Sequence, residues 1–201
     1  MPQVLFDKLV ASVRSGSALI SFPTDTVPAL ASRPDRADLI FVAKQRPPEK
    51  PLILMAGEIA DLWSYVVGHP DEQQIWQTVA KRYLPGALTL VLPASDRVPP
   101  TLNPQNPSTI GVRVPNNSIA RAILRQTGPL ATTSANRSGE PALQTLAEIE
   151  AQFPDVLTLL PTETEPSTTG AAVSGIPSTV ARWTGTSWEI LRQGAVVLDE
   201  N

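Results

Sequence analysis

The residues most suited to chemistry are basic and small polar side chains that follow apolar segments at several points of the chain. Lys44, Arg46 and Lys50 lie within seven residues, and the segment TTSANRSG, which begins at Thr132, carries several hydroxyl and amide groups. Guanidinium and ammonium groups bind carboxylates and phosphates, and Ser, Thr and Asn at turns can donate to phosphate oxygens. None is a strong base, so the pattern indicates chemistry done by positioning and charge stabilisation, as in transfer at phosphorus.

Three further segments extend this pattern along the chain. They are PTDT at residues 23–26, TIGVRVP with Arg113 between two valines, and PST at 177–179 followed by LRQG with Arg192. Asp25 is the acid of the first motif and could orient a threonine hydroxyl or help to hold a metal. Taken singly, each motif is also typical of helix caps and Asx turns, so only the ordered set is specific.

Composition excludes several classes of site. The 201 residues contain no cysteine and only one histidine, His69, which rules out disulfides, thiolate chemistry and a multi-histidine metal site. The chain also lacks the phosphate-loop, dinucleotide-binding and nucleophile-elbow motifs. The formal net charge is −3, but residues 81–137 carry seven basic side chains and one acid. This excess fits a local anionic ligand or ordinary surface mixing, and both interpretations stay open.

The elements that must position these residues alternate between helix and strand, which predicts an α/β fold with a mixed sheet. The pattern predicts helices over 4–13, 35–46 (capped by Asp35), 58–66, 71–84, 118–128 and 145–153. It predicts strands over 17–23, 51–56, 87–93, 109–115, 129–136 and 155–160, and a hairpin from 178–183 and 187–192. We expect a single domain over 1–201. With no membrane span or secretory signal indicated, we expect a cytoplasmic protein.

The ordered motifs resemble the YrdC-type L-threonylcarbamoyladenylate synthase family from about residue 15 to residue 196, and the length resembles its short bacterial form. The segments that carry the resemblance are PTDTV, KQRPPEKPLIL, LPGALTLVLP, GVRVP, TTSANRSGEPA, PSTV and ILRQGA. The resemblance implies a twisted sheet with flanking helices and a concave, positively charged cleft. It implies that L-threonine, bicarbonate and ATP are joined into L-threonylcarbamoyl-AMP with release of pyrophosphate, for the t6A modification at position 37 of tRNA.

The resemblance also implies a role for individual residues and a set of partners. Lys44, Arg46, Ser134 and Asn136 match the catalytic signature, while Thr26, Arg113, Thr132 and Ser178 match positions that bind L-threonine. On the ATP side the matching residues are Arg46, Lys50, Thr109, Ser134 and Arg192. Mg²⁺ is the implied cofactor, with ATP as substrate, and no metal site of the protein's own is implied. Further implied partners are tRNA, double-stranded RNA and the machinery that completes t6A.

Two alternatives to the synthase stay open. The first is a YrdC-like paralogue that binds double-stranded RNA or nucleotide without synthase activity. It is suggested by Pro28 and Ala29, which stand where the family usually has Tyr and Gly. The second is a carbamoyl-transfer module of the kind found in hydrogenase maturation proteins, which is disfavoured because those chains are much longer and carry zinc-binding cysteines.

Overall fold

Strands and helices alternate along most of the chain in the computed structural model, which describes residues 3–45, 50–164 and 174–199. The strands are β1 (Gln3–Val4), β2 (Ile20–Phe22), β3 (Ala29–Ser32), β4 (Ile53–Met55), β5 (Leu88–Pro93), β6 (Thr109–Arg113), β7 (Leu130–Ser134), β8 (Thr158–Leu159), β9 (Thr179–Trp183) and β10 (Trp188–Arg192). The α-helices are α1 (Phe6–Arg14), α2 (Asp38–Lys44), α3 (Pro70–Tyr83), α4 (Ser118–Thr127), α5 (Leu146–Gln152) and α6 (Pro161–Thr164). Short 3₁₀ helices span Pro34–Arg36, Ile59–Tyr65 and Pro100–Leu102.

Eight of these strands form one twisted mixed sheet in the order β10-β9-β5-β6-β4-β7-β3-β2. The pairs β4–β6 and β5–β9 are parallel, and the other neighbours are antiparallel. The predicted C-terminal hairpin is confirmed, with Trp188 opposite Trp183. Thr132 lies opposite Ala31 on one side and Ile53 on the other, so the sheet brings the TTSAN segment beside β3 and β4.

Side chains alternate between the two faces of the sheet, and each face has its own apolar core. Leu54 packs in the larger core with Trp76 and Leu90, whereas its neighbour Met55 packs in the smaller core. The smaller core contains buried residues of α1 and α4, such as Leu9 and Ile123. The predicted α/β class with a mixed sheet and flanking helices is therefore confirmed.

Three local predictions differ from the structure. Asp35 does not cap the second helix, because its carboxylate pairs with Arg33 at 2.6 Å and α2 begins only at Asp38. The predicted helix over 58–66 is a 3₁₀ helix. Strand β3 was not predicted, since its residues are small and follow Pro28. None of the helices in the described ranges is long and apolar enough to cross a membrane.

Candidate active site

A cavity of about 760 Å³ lies on the sheet where β3 to β7 and β9 approach one another. Its lining includes every predicted site residue except Lys44 and Arg46: Thr26, Lys50, Thr109, Arg113, Thr132, Ser134, Asn136, Ser178 and Arg192. Arg46 lies outside the described residues. Residues up to 166 positions apart in the sequence therefore meet around one space, as Thr26 and Arg192 do.

Arg113 sits at the end of β6 with only 3% of its surface exposed, and it is held by three acceptors. Its Nε donates to the Gly86 carbonyl at 3.0 Å, its Nη1 to Thr26 Oγ1 at 3.0 Å, and its Nη2 to Asp25 Oδ1 at 2.7 Å. Burial lowers the pKa of Arg113, while the Asp25 carboxylate raises it and the nearby Arg192 lowers it further. Asp25 is thus the counter-ion that favours the charged guanidinium.

The PTDT loop is fixed by its own hydroxyl groups. Thr24 Oγ1 donates to the Val27 carbonyl at 2.7 Å and accepts from the Thr26 backbone N–H at 3.1 Å. The two threonine hydroxyls also lie 3.1 Å apart. Thr24 and Thr26 are both fully buried, so this hydrogen-bonded turn holds the Thr26 hydroxyl in one orientation beside the cavity that the residue lines.

Ser178 and Arg192, which come from the C-terminal part of the chain, form a second fixed cluster beside the same cavity. Arg192 donates from Nε and Nη2 to the Ser178 carbonyl at 3.2 and 2.8 Å, and burial lowers the pKa of Arg192. The Ser178 hydroxyl lies 2.9 Å from Thr89 Oγ1. Gly194 permits this arrangement, because a Cβ there would meet the Pro177 carbonyl oxygen at 2.2 Å.

Lys44 lies beneath the TTSAN segment and is not part of the cavity lining. It is 1% exposed, and its ammonium donates to the Ser134 carbonyl and, at 3.2 Å, to Asn136 Oδ1. The Ser134 hydroxyl donates to the same Asn136 oxygen, while Asn136 Nδ2 donates to the Glu140 carbonyl at 2.7 Å. The structure therefore brings Lys44, Ser134 and Asn136 together, with the last two facing the cavity.

Lys50 and Thr109, predicted on the ATP side, also line the cavity. Lys50 Nζ donates to Ser138 Oγ at 3.1 Å, and Thr109 Oγ1 accepts from Asn103 Nδ2 at 3.0 Å. Sequence reasoning missed several lining residues, including Thr89, Asn103, Asn106, Glu140 and Arg182. Because side chains alternate along β9, the sequence assigns Arg182 to one face of that strand. Nothing in the sequence indicates that this face borders a cavity.

Charge and donor chemistry favour an anionic ligand here. Among the described residues, the lining has four basic side chains, Lys50, Arg113, Arg182 and Arg192, and one acid, Glu140. Within the same ranges, no group of three or more His, Asp or Glu side chains could hold a metal ion. The site suits a ligand that brings carboxylate or phosphate groups of its own.

Fold and site together define an α/β protein with a cavity on one face of a twisted mixed sheet, lined by basic and hydrogen-bonding side chains. A family model described as Sua5/YciO/YrdC, telomere recombination, matches residues 12–194. The chain belongs to this family, which confirms the resemblance predicted from its motifs.

Similar proteins of known name and structure support this membership. The threonylcarbamoyl-AMP synthase of Bacillus subtilis is 35% identical over 139 residues, which cover 66% of this chain and 38% of that protein. A crystal structure of P. abyssi Sua5 complexed with L-threonine matches with a TM-score of 0.79 at 29% identity, covering 96% of this chain and 56% of that one. E. coli YciO matches with a TM-score of 0.77 at 26% identity, covering 94% of this chain and 88% of that one. The chain thus spans little more than half of the Sua5 chain, and less of the Bacillus protein.

Proposed function

We propose that this protein is an L-threonylcarbamoyladenylate synthase, which joins L-threonine, bicarbonate and ATP into L-threonylcarbamoyl-AMP and releases pyrophosphate. The observation that carries the proposal is the meeting of Thr26, Arg113, Thr132 and Ser178 around one cavity. These four side chains come from four separate segments and match the threonine-binding positions of the family. Relatives that carry the synthase name, and a similar structure complexed with L-threonine, support the same substrate.

The proposed reaction has two steps and needs no covalent enzyme intermediate. In the first, the threonine amine attacks bicarbonate, and a carbamate and water form. In the second, a carbamate oxygen attacks the α-phosphorus of ATP, the bond from that phosphorus to the bridging oxygen of the β-phosphate breaks, and pyrophosphate leaves. This makes the enzyme a nucleotidyltransferase. A site rich in fixed donors and poor in bases suits such a reaction, which depends on positioning and charge stabilisation.

We assign a different part of the substrates to each cluster of side chains around the cavity. Arg113 would bind the threonine carboxylate, because its guanidinium offers paired N–H donors. The Ser134–Asn136 segment, held from beneath by Lys44, would position the phosphates and the carbamate. Lys50, Thr109 and Arg192 match the family's positions on the ATP side, and Arg46 completes the catalytic signature by its position in the sequence.

Mg²⁺ would bind as a complex with ATP, and not at a metal site of the protein's own. Magnesium keeps several waters and is usually held by one or two carboxylates together with substrate phosphates. The described cavity lining offers one carboxylate, Glu140, beside hydroxyl and amide oxygens, which fits an ion carried on the triphosphate. Its chemistry there would be to neutralise phosphate charge. The product would feed t6A formation in tRNA, with the t6A machinery as the next partner.

The first test is pyrophosphate release from ATP in the presence of bicarbonate and Mg²⁺, with L-threonine, L-serine, L-alanine or no amino acid. We expect threonine-dependent release, and a fall of roughly 10²–10³-fold in Lys44→Ala, because the Ser134–Asn136 segment loses its support. Lys81→Ala, at an exposed lysine of α3, is the matched control and should keep full activity. Near-normal turnover in a folded Lys44→Ala protein would contradict the assignment of the signature.

A second outcome of the same test would favour the paralogue. Pro28 and Ala29 line the cavity beside the threonine-side residues, and the Pro28 carbonyl accepts from the Ala135 N–H at 2.8 Å. If this altered segment blocks threonine, ATP should bind without amino-acid-dependent pyrophosphate release. Binding of double-stranded RNA would then be tested by its dependence on salt.

A further inference from the structure

Asp25 does not line the cavity, yet it touches the residue proposed to receive the amino acid. Its side chain is 6% exposed, and its Oδ1 lies 2.7 Å from Nη2 of Arg113, whose side chain is 4% exposed. Both partners are therefore shielded from water, where the interaction of a charged pair is strong and its geometry is fixed. The sequence suggested that Asp25 orients a threonine hydroxyl or holds a metal, but the structure pairs its carboxylate with a guanidinium.

The hydrogen-bond count of Arg113 shows what this pairing leaves available. A guanidinium has five N–H donors. Among the described residues, the Gly86 carbonyl, the Thr26 hydroxyl and the Asp25 carboxylate each take one, from Nε, Nη1 and Nη2 respectively. One donor remains on each terminal nitrogen, which is the number that a carboxylate needs for bidentate binding.

The backbone of Asp25 is anchored as well as its side chain. Its carbonyl accepts from the Ser174 N–H at 3.2 Å, and the Thr26 carbonyl accepts from the Gly175 N–H at 3.0 Å. The loop that carries the carboxylate is thus tied to a segment 149 positions further along the chain. Such double anchoring lets a small acid set the orientation of a large guanidinium.

We infer that Asp25 is a positioning residue that fixes the orientation of Arg113, and so determines affinity for the carboxylate of the amino-acid substrate. The inference rests on the proposed function, because it takes the amino acid to be bound through its carboxylate. It assigns Asp25 to one substrate of the reaction and predicts little effect on the other, ATP. A merely structural role would weaken both.

The decisive experiment compares Asp25→Asn with the wild type using L-threonine and L-threoninamide, which lacks the carboxylate charge. In Asp25→Asn we expect the KM for L-threonine to rise about 10- to 100-fold, the scale of a hydrogen bond to a charged group, with the KM for ATP changed less than about threefold. Binding measured by calorimetry should show the wild type preferring threonine to threoninamide, and this preference should shrink by a similar factor in the variant.

Controls separate the possible outcomes. Asp35→Asn breaks an exposed pair with Arg33 of similar length, 2.6 Å, and should leave both KM values unchanged. Asp25→Glu keeps the negative charge but displaces it, so this variant should fold. It should still raise the KM for L-threonine and leave the KM for ATP unchanged. If Asp25→Asn does not fold, Asp25→Glu replaces it in the same comparison of L-threonine with L-threoninamide. An unchanged preference for threonine over threoninamide, or equal losses for threonine and ATP, would overturn the role of Asp25. Absence of threonine-dependent activity in the wild type would instead refute the proposed function.

Discussion

The hydroxyl pair between Thr89 and Ser178 gives the sharpest test of how the cavity is held together. The two oxygens lie 2.9 Å apart, and the residues are 1% and 4% exposed. Thr89→Val keeps the shape of the side chain and removes the hydroxyl, so Ser178 loses this partner and retains the contact with Arg192 at 3.3 Å. A buried hydrogen bond of this kind contributes about 1–2 kcal/mol to the free energy of unfolding.

Thr158 provides a matched control in the same protein. It is also 1% exposed and lies in a strand, but among the described residues its hydroxyl has no hydrogen-bond partner. Removing a buried, unpaired hydroxyl costs nothing in hydrogen bonding, so Thr158→Val should be neutral or stabilise by up to about 1 kcal/mol. The two variants should therefore differ by about 2 kcal/mol, measured by urea denaturation with an unchanged slope.

Activity should separate the same two variants. With Ser178 less firmly held, Thr89→Val should raise the KM for L-threonine about fivefold, the equivalent of about 1 kcal/mol, while Thr158→Val should leave it unchanged. Equal destabilisation of both variants would refute the reasoning, because it would attribute the effect to the change of side chain and not to the lost hydrogen bond. The pyrophosphate assay and the unfolding curves can be run on the same preparations.

Two further predictions concern stability. Hydrogen bonds from Arg125 and then Arg121 hold the pKa of Glu58 below its ordinary 4.5. A carboxyl group whose pKa is lowered in the folded state stabilises that state at pH values above its ordinary pKa. This stabilisation is lost as the pH falls through the lowered pKa. Glu58→Gln should thus lower the free energy of unfolding by up to about 1 kcal/mol at pH 7, and the difference should vanish toward pH 3; a pH-independent difference would contradict the ion-pair explanation. Gly194→Ala should cost roughly 2–3 kcal/mol, because its Cβ would meet backbone atoms at 2.2–2.5 Å. Gly185→Ala, at φ +99° with no atom within 4 Å of the new Cβ, should cost only about 1 kcal/mol of strain; equal thermal shifts would refute the steric explanation.

Much of the fold could be predicted because its strands are apolar runs bounded by proline or glycine. The segments around β5, β6 and β7 follow this pattern, and each contains the strand found there. Strand β3 escaped prediction because Ala29 and Ala31 have low strand propensity, and only pairing with β2 and β7 makes the segment extended. Local propensity fails where neighbouring strands decide the conformation.

The predicted start of α2 at Asp35 was wrong for a related reason. An aspartate directly at the start of a helical pattern is typical of an N-cap, but the carboxylate of Asp35 pairs with Arg33 and the helix begins three residues later. The helix then begins without a side-chain cap. An ion pair between residues two positions apart competed with the cap, and the sequence alone did not say which would form.

The sequence predicted which side chains gather around one cavity, but not how deeply each of them is buried. The ordered motifs identified which side chains meet, and all those described except Lys44 line the cavity. They did not indicate that Lys44 lies buried beneath Ser134, or that Asp25 holds Arg113, because each contact joins residues about 90 positions apart. Spacing along a chain reveals a recurring pattern, whereas the layering of side chains depends on how the sheet is assembled.

The basic middle of the sequence shows how little a charge count along the chain says about a binding face. Of its seven cations, Arg113 lines the cavity, while the guanidiniums of Arg121 and Arg125 bind Glu58 and that of Arg82 binds Asp199. Arg97 lies over the ring of Tyr65 at 5.1 Å. The other cavity cations that the structure describes, Lys50, Arg182 and Arg192, come from outside this segment. Ordinary mixing of acidic and basic side chains on the protein surface therefore accounts for most of the excess of basic residues in this segment. The sheet gathers the cavity cations from distant segments, and a buried guanidinium with fixed partners is suited to bind an anion more selectively than a mobile surface charge.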